Sequence, residues 1–232
     1  MQSDEIAYPG SIFRMRFNYV HNGNGGNLLK SRHERSEIHS NWFEGSVYQE
    51  IELIGPDCET QASGWTRATR REDAELVNNV IVHTSTTWPH AIRLGGDLNG
   101  ASDGRVRMVG NTIVFDRPGA ATAVYVQLGL GSVEMHNNAI FQTGGAAPAI
   151  LRENTTADAP VCAPFVTQPW SGARSVFGTR NWVQSTATFV PPEWTGTMTG
   201  SAPGFRDAAQ RNFRPLATSP LPQRTVLTVT GR

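Results

Sequence analysis

The sequence predicts an all-β protein in which short strands wind into a solenoid of about six coils. Three observations predict this fold: a recurring Asn, alternating apolar and polar residues around it, and insertions confined to one part of each repeat. The segment RVRMVGNTIVF at residues 105–115 contains the unit, an alternating strand, an Asn turn and a second apolar strand. Alternation with a period of two residues is typical of β-strands.

The recurring Asn defines the repeat. It occurs at intervals of 23, 38, 32, 27 and 43 residues, at Asn18, Asn41, Asn79, Asn111, Asn138 and Asn181. A short minimum interval with a variable excess indicates a coil of fixed size that carries loop insertions. We expect each Asn to adopt the left-handed conformation of a sharp bend, and the Asn side chains to form a ladder. An antiparallel β-sandwich would also contain many short strands, but a recurrent Asn at one phase disfavours it.

A third strand precedes each Asn unit after the first. These strands are NLLKS, EIELIG, HAIRLGG, AVYVQLG and PAILRE, at residues 27–31, 50–55, 90–96, 123–129 and 148–153. Most of the additional residues follow this strand, which places the long loops along one edge of the solenoid. In repeat folds such an edge is often the binding face.

Composition excludes several classes of function. The chain has 20 basic and 20 acidic residues, so we expect no general binding to nucleic acid or to a charged membrane surface. No segment approaches the roughly 20 apolar residues of a membrane span, and the first residues show no signal peptide. Cys58 and Cys162 leave two alternatives open, one disulfide or two unrelated thiols.

Three strands per coil, an Asn turn and one-sided insertions resemble the right-handed parallel β-helix of the pectate-lyase-like superfamily, over residues 12–221. The stretch APGFRDAAQRNFRPLATSPL at 202–221 is similar to the closing segment of bacterial secreted β-helix proteins. The resemblance implies one domain at 1–232, with coils at 12–200 and a closing segment at 201–232 that covers the last coil. We expect a secreted or periplasmic monomer. Because no amphipathic helix caps the other end, we expect native N-terminal coils to be missing.

Alternation within the third strands places one set of side chains on a common outer strip. Adjacent coils lie about 4.8 Å apart, so these side chains can touch. The strip is expected to contain Lys30, Arg32, Glu50, Glu52, Arg93, Tyr125, Gln127 and Arg152.

This strip favours a carbohydrate-active protein that acts on an acidic polysaccharide, most concretely a lyase. In β-elimination a cation or a Ca²⁺ ion neutralises the uronic acid, a base removes the adjacent proton, and an acid protonates the leaving oxygen. Lys30 is the expected base, Arg93 the neutralising cation and Tyr125 the acid.

A shorter resemblance concerns residues 25–45, GGNLLKSRHERSEIHSNWFEG. This stretch is similar to alginate-lyase and chondroitinase-B-type lyases, in which a strand ending in VKS is followed by an N-x-F coil turn. The resemblance places Lys30 at the catalytic Lys of that family, with Arg32 close behind it. Glu52 stands near the position of the family's catalytic Arg, where this chain departs from the pattern.

Two other functions stay open. A glycoside hydrolase would use paired carboxylates, either Glu50 with Glu52 or Asp97 with Asp103. A non-catalytic carbohydrate-binding or surface solenoid would use the same strip together with aromatic rings that stack on sugars. Residues expected to bind a polysaccharide in either case are Glu50, Gln127, Arg152, Trp65 and Trp88.

The pairing of Lys30 separates catalysis from binding or a purely structural role. Lys30, Glu52 and Arg93 would form a cross-coil charge ladder if they simply neutralise one another. A groove in which Lys30 has no carboxylate partner and Arg93 lies near Tyr125 favours an enzyme. A Lys30 bonded to Glu52 on a flat strip favours binding or structure.

A Ca²⁺ site is one interpretation of GGDLNGASDG at residues 95–104, where Asp97 and Asp103 offer oxygen ligands. An ordinary Gly, Asn and Asp loop is the alternative. The six histidines form no HExxH motif, so the sequence gives no reason to expect a transition metal.

Overall fold

A computed structural model describes Tyr8 and residues 10–55, 71–96, 102–144, 146–155 and 168–222. In these residues the chain forms strands and turns and contains no helix, so the all-β prediction is confirmed. It follows that no helix there could span a membrane.

Twenty strands make up the described part of the chain. Their bounds are β1 Ile12–Arg16, β2 Tyr19–His21, β3 Leu29–Ser31, β4 Arg35–His39, β5 Trp42–Glu44, β6 Ile51–Ile54, β7 Asp73–Val77, β8 Val80–His83, β9 His90–Gly95, β10 Arg105–Val109, β11 Thr112–Phe115, β12 Thr122–Val126, β13 Ser132–His136, β14 Ala139–Gln142, β15 Ala149–Glu153, β16 Val176–Thr179, β17 Trp182–Gln184, β18 Met198–Gly200, β19 Phe205–Asp207 and β20 Asn212–Pro215.

Successive strands enter three different parallel sheets, which is the arrangement of a β-solenoid. The first sheet has the order β1-β4-β7-β10-β13-β16, and the second has β2-β5-β8-β11-β14-β17-β18. The third sheet has the order β3-β6-β9-β12-β15. Every neighbouring pair within these sheets is parallel, as the sequence pattern predicts.

The core consists of similar apolar side chains stacked from coil to coil. In the first sheet Ile38, Leu76, Met108 and Met135 are in register and fully buried. Equivalent stacks of Ile and Val line the second and third sheets. Burial of each such side chain contributes about 1.5–3 kcal/mol, so the repeated strand pattern also stabilises the stack.

The Asn turn differs from the prediction in one respect. The left-handed residue is the one before the aligned Asn, with φ of 53° to 65° at Phe17, Ser40, Asn78, Gly110, Asn137 and Arg180. The aligned Asn has another role. Its Oδ1 accepts hydrogen bonds of 2.9–3.2 Å from the backbone N and the Nδ2 of the Asn one coil earlier. From Asn41 to Asn181 these bonds satisfy polar groups that are almost wholly buried at the coil corner, whereas Asn18 on the first coil is exposed.

The segment after the last coil lies along the flank of the second sheet. Its antiparallel hairpin, β19 and β20, contributes Phe205 and Phe213, which pack with Trp42, Phe141 and Trp182. The rings of Trp42 and Phe213 stack at 5.5 Å between centroids. The hairpin therefore covers an outer sheet face that would otherwise expose apolar and aromatic side chains to water, whereas the sequence predicts that this segment lies over the last coil.

Candidate functional site

One row of side chains crosses the outer face of the third sheet. Lys30, Glu52, Arg93, Tyr125 and Arg152 occupy matching positions on β3, β6, β9, β12 and β15. We call these five residues the cleft row. They lie together because the outward position of each strand falls at the same register on successive coils, so the sequence alternation placed them correctly.

Glu52 joins the two cations beside it. Its Oε2 lies 3.0 Å from Nζ of Lys30 and accepts a hydrogen bond of 2.6 Å from Nδ2 of Asn27. Its other carboxylate oxygen pairs with the guanidinium of Arg93. The Glu52 side chain is only 2 % exposed, and these three partners fix its carboxylate between Lys30 and Arg93.

Lys30 lies beside a carboxylate, an arrangement that bears on its predicted role as a general base. Its ammonium group donates to a carboxylate, whereas a base must present a lone pair to the proton that it removes. The cleft row thus meets one criterion for each function. Lys30 is paired with Glu52, which favours binding or a structural role. Arg93 lies beside Tyr125 in register, which favours an enzyme.

A cleft of ≈ 550 Å³ opens above the first half of the row. Lys30, Glu52 and Arg93 form its floor, and Tyr48 and Trp88 stand at its side. The rings of Tyr48 and Trp88 are 5.0 Å apart between centroids, inclined at 53°, and 41 % and 37 % exposed. We call these two residues the aromatic pair. The row is thus not a flat strip at this end.

The other half of the row carries a stacked ring pair. Tyr125 lies against His90, with centroids 4.2 Å apart and planes within 8°. Burial lowers the pKa of His90 to about 4, helped by the positive charges of His83, Arg152, Arg93 and Arg117. His90 is therefore a neutral imidazole at physiological pH, in a region of positive potential.

Arg152 ends the row. Its guanidinium carbon lies 4.9 Å from the ring centroid of Phe189, a cation–π contact that holds the exposed side chain over the sheet.

Glu50 is not on this surface, contrary to the prediction. It precedes β6, its side chain is fully buried, and its Oε2 lies 2.6 Å from Nδ1 of the equally buried His83. Oε1 accepts a hydrogen bond of 2.7 Å from the hydroxyl of Ser46. The alternation of inward and outward side chains holds only within a strand. Because Glu50 lies outside β6, the alternation wrongly placed it on the outer surface with Glu52.

The Glu50–His83 pair lies beneath the aromatic pair. Nε2 of His83 is 2.8 Å from the carbonyl oxygen of Trp88, so both ring nitrogens face acceptors. The hydroxyl of Ser85 donates to the carbonyl of Val47 at 2.7 Å and accepts from the amide of Trp88 at 3.2 Å. These bonds connect the loop that carries Tyr48 to the loop that carries Trp88.

Three further predicted site residues, Arg32, Gln127 and Asp103, are described and are not among the residues that line the cleft. Arg32 is buried at 7 % exposure, and Gln127 is half-buried just after β12. Asp103 adopts a φ of 49° and donates its amide to Gly129. Trp65 and Asp97 lie outside the described residues, as do Cys58 and Cys162. Among the described residues no group of three or more His, Cys, Asp and Glu side chains could hold a metal ion.

Sequence reasoning missed Tyr48, Asn27 and His90. Tyr48 and Asn27 lie in loops, where no periodicity reports orientation, and their neighbours come from another coil. The sequence VYQEIEL did offer one signal for Tyr48, an aromatic residue shortly before the strand that carries Glu52.

A second charged row crosses the outer face of the first sheet. We call it the ladder row; it consists of Arg14, Glu37, Glu75, Arg107 and Glu134. Each carboxylate has an arginine partner within 3.6 Å. Hydrogen bonds from Arg14 and Arg35 lower the pKa of Glu37 to about 2.

Comparison of the chain with protein-family models, with curated proteins and with solved structures gave no match.

Proposed function

We propose that this protein is a carbohydrate-active solenoid that holds an acidic polysaccharide in the cleft beside Tyr48 and Trp88. The observation that carries the proposal is the combination of an exposed aromatic pair with a floor of two cations around one carboxylate. Aromatic rings stack on the apolar faces of sugars, and Lys and Arg bind carboxylates. One site thus offers both kinds of contact that an acidic sugar needs.

The charge of the floor supports an anionic ligand. Two cations, Lys30 and Arg93, share one carboxylate, Glu52, so the three groups together carry one positive charge. Asn27 and the two cations fix the position of Glu52, so Lys30 and Arg93 are held in place around it.

Within this proposal, binding without catalysis is the leading function. The pairing of Lys30 with Glu52 argues against the base role that the sequence assigns to Lys30. A polysaccharide carboxylate would instead approach the ammonium and guanidinium groups from the open side of the cleft.

Polysaccharide lyase activity is the second candidate, supported by the arrangement around Tyr125. Arg93 would neutralise a uronate, and the neutral imidazole of His90 would accept the proton of the adjacent carbon. The electron pair of that C–H bond would form the double bond as the C–O bond to the leaving sugar breaks. The hydroxyl of Tyr125 would protonate the departing oxygen.

The same proposal includes the finer assignment of the fold. Three strands per turn, one-sided loops and the Asn bonds at the corner support a right-handed parallel β-helix of about six coils, of the pectate-lyase-like superfamily. A secreted or periplasmic monomer is the form in which such a protein would meet a polysaccharide.

One experiment tests binding and catalysis together. Wild-type protein is incubated with alginate, pectate and glycosaminoglycans, with and without Ca²⁺, while tryptophan fluorescence and the ultraviolet absorbance of unsaturated products are recorded. We expect a saturable fluorescence change without new absorbance, and loss of that change in Trp88→Ala. Absorbance that persists in Lys30→Ala but disappears in His90→Phe would instead establish the lyase. Neither signal on any polysaccharide would refute the proposed function.

A further inference from the structure

The cations of the cleft row recur on alternate coils. Lys30 lies on β3, Arg93 on β9 and Arg152 on β15, in register across the third sheet. Glu52 and Tyr125 occupy the coils between them. Because adjacent parallel strands are about 4.8 Å apart, backbone positions two coils apart are separated by about 10 Å.

The two intermediate positions do not favour an anion. Glu52 is an almost fully buried carboxylate, whose negative charge repels a second anion at close range. Tyr125 offers a ring face and a hydroxyl group. Along the row, the surface is thus suited to an anion, an uncharged group, an anion, a sugar face and an anion.

A sugar residue in an extended polysaccharide is about as long as the distance between two adjacent coils. A disaccharide therefore matches the distance of about 10 Å between one cation of the row and the next. We propose that the cleft row binds an extended chain that runs along the solenoid axis and presents an anionic group on every second sugar. This inference rests on the proposed function and adds the periodicity of its ligand. Two kinds of polymer have this chemistry: an alternating copolymer of a uronic acid and a neutral sugar, and a homopolyuronate in a two-fold conformation.

A second observation supports a row that acts as one surface. Arg93 and Arg152 lie on either side of Tyr125 in register, and both lower the pKa of His90, which stacks on that tyrosine. Their positive potentials therefore overlap at the middle of the row.

The test moves one cation by one coil without changing composition or net charge. The double variant Tyr125→Arg, Arg152→Tyr is compared with wild type for binding of hyaluronan, mannuronan and neutral cello-oligosaccharides by calorimetry. We expect a threefold to fivefold loss of affinity for the anionic chains, and a smaller loss for the neutral one, which meets only the displaced tyrosine ring. Arg107→Gln, on the ladder row, is the matched control and should leave affinity unchanged.

Chain length gives a second measurement that does not require the double variant to fold. A hexasaccharide can reach from Lys30 to Arg152, whereas a tetrasaccharide cannot, so wild type should bind the anionic hexasaccharide about threefold to fivefold more tightly. Arg152→Gln should remove this advantage. The affinities for hyaluronan and mannuronan then distinguish the alternating copolymer from the homopolymer.

The outcomes separate the two proposals. Equal affinity of wild type and the double variant, or a length advantage that survives in Arg152→Gln, would overturn the periodicity and leave polysaccharide binding intact. Failure of wild type to bind any of the three polymers would overturn both.

Discussion

The cleft row and the ladder row are both charged, both in register across a parallel sheet, and differ in how their charges are balanced. In the ladder row, arginines and glutamates pair at distances of 2.7–3.6 Å on an exposed sheet, and with Arg35, which pairs with Glu37 and Glu75, three arginines balance three glutamates. In the cleft row three cations face one carboxylate. Register therefore follows from the repeat alone, whereas an excess of one charge marks the surface that is available to a ligand.

The surroundings of the two rows differ as well. The ladder row lines an open depression of ≈ 460 Å³ whose exposed aromatic residue, Phe177, stands alone at one end. The cleft row has two aromatic rings in mutual contact, supported from below by the buried Glu50–His83 pair. A buried polar pair contributes little to stability compared with an apolar pair of the same shape. Its presence here is explained by the loops that it holds.

The largest effect should come from removing one member of that buried pair. Glu50→Ala leaves His83 without its carboxylate in a site closed to water, which should cost about 3–5 kcal/mol of unfolding free energy. The matched change on the ladder row, Glu134→Ala, removes a carboxylate that is 41 % exposed and should cost less than about 1 kcal/mol.

Chemical denaturation of both variants measures this difference, and polysaccharide affinity measures its consequence for the aromatic pair. Because Glu50→Ala also makes a cavity, Glu50→Gln serves as the conservative variant and should recover part of the affinity. Equal losses of stability in Glu50→Ala and Glu134→Ala would show that the pair is no more important than a surface contact.

The second effect is a pH dependence on the cleft side. The pKa of His90 is lowered from 6.5 to about 4, so the unfolded chain binds this proton more readily than the folded protein does. Stability should therefore fall as pH decreases from about 6.5 to about 4, by on the order of 2–3 kcal/mol from this group. His90→Phe keeps a ring against Tyr125 and should flatten the curve in that interval. Thermal unfolding at a series of pH values tests this, and an unchanged slope in the variant would contradict it.

The difference between the rows could be predicted only in part from the sequence. Alternation placed Lys30, Arg93 and Arg152 on one surface, because a strand of period two has only two faces. It could not place Glu50, which lies outside the strand, or show that Tyr48 contacts Trp88, which comes from another coil. The Asn repeat located the corner of each coil. It did not show that the preceding residue adopts the left-handed conformation, since the two positions are adjacent and either could make the bend.

The third effect concerns the aromatic rings. Trp88→Ala should weaken polysaccharide binding about tenfold, because a central exposed ring in a binding site typically contributes more than 1 kcal/mol. Phe177→Ala removes an even more exposed ring from the ladder side and should leave binding unchanged. Affinity measurements on both variants decide whether binding depends on the position of the ring in the cleft or only on its exposure. Equal losses of affinity would show that the polysaccharide does not bind specifically in the cleft.

The smallest effect is a pH dependence on the ladder side. The pKa of Glu37 is lowered from 4.5 to about 2, because its carboxylate accepts hydrogen bonds from Arg14 and Arg35. The stability that this carboxylate contributes is present above pH 4.5 and should be lost as pH falls towards 2. Since both arginines are largely exposed, solvent screens the pair and the effect should be small. Glu37→Gln should reduce the slope of unfolding temperature against pH only below pH 4.5, whereas His90→Phe acts above pH 4. If both variants changed the same interval, the two rows would not titrate independently.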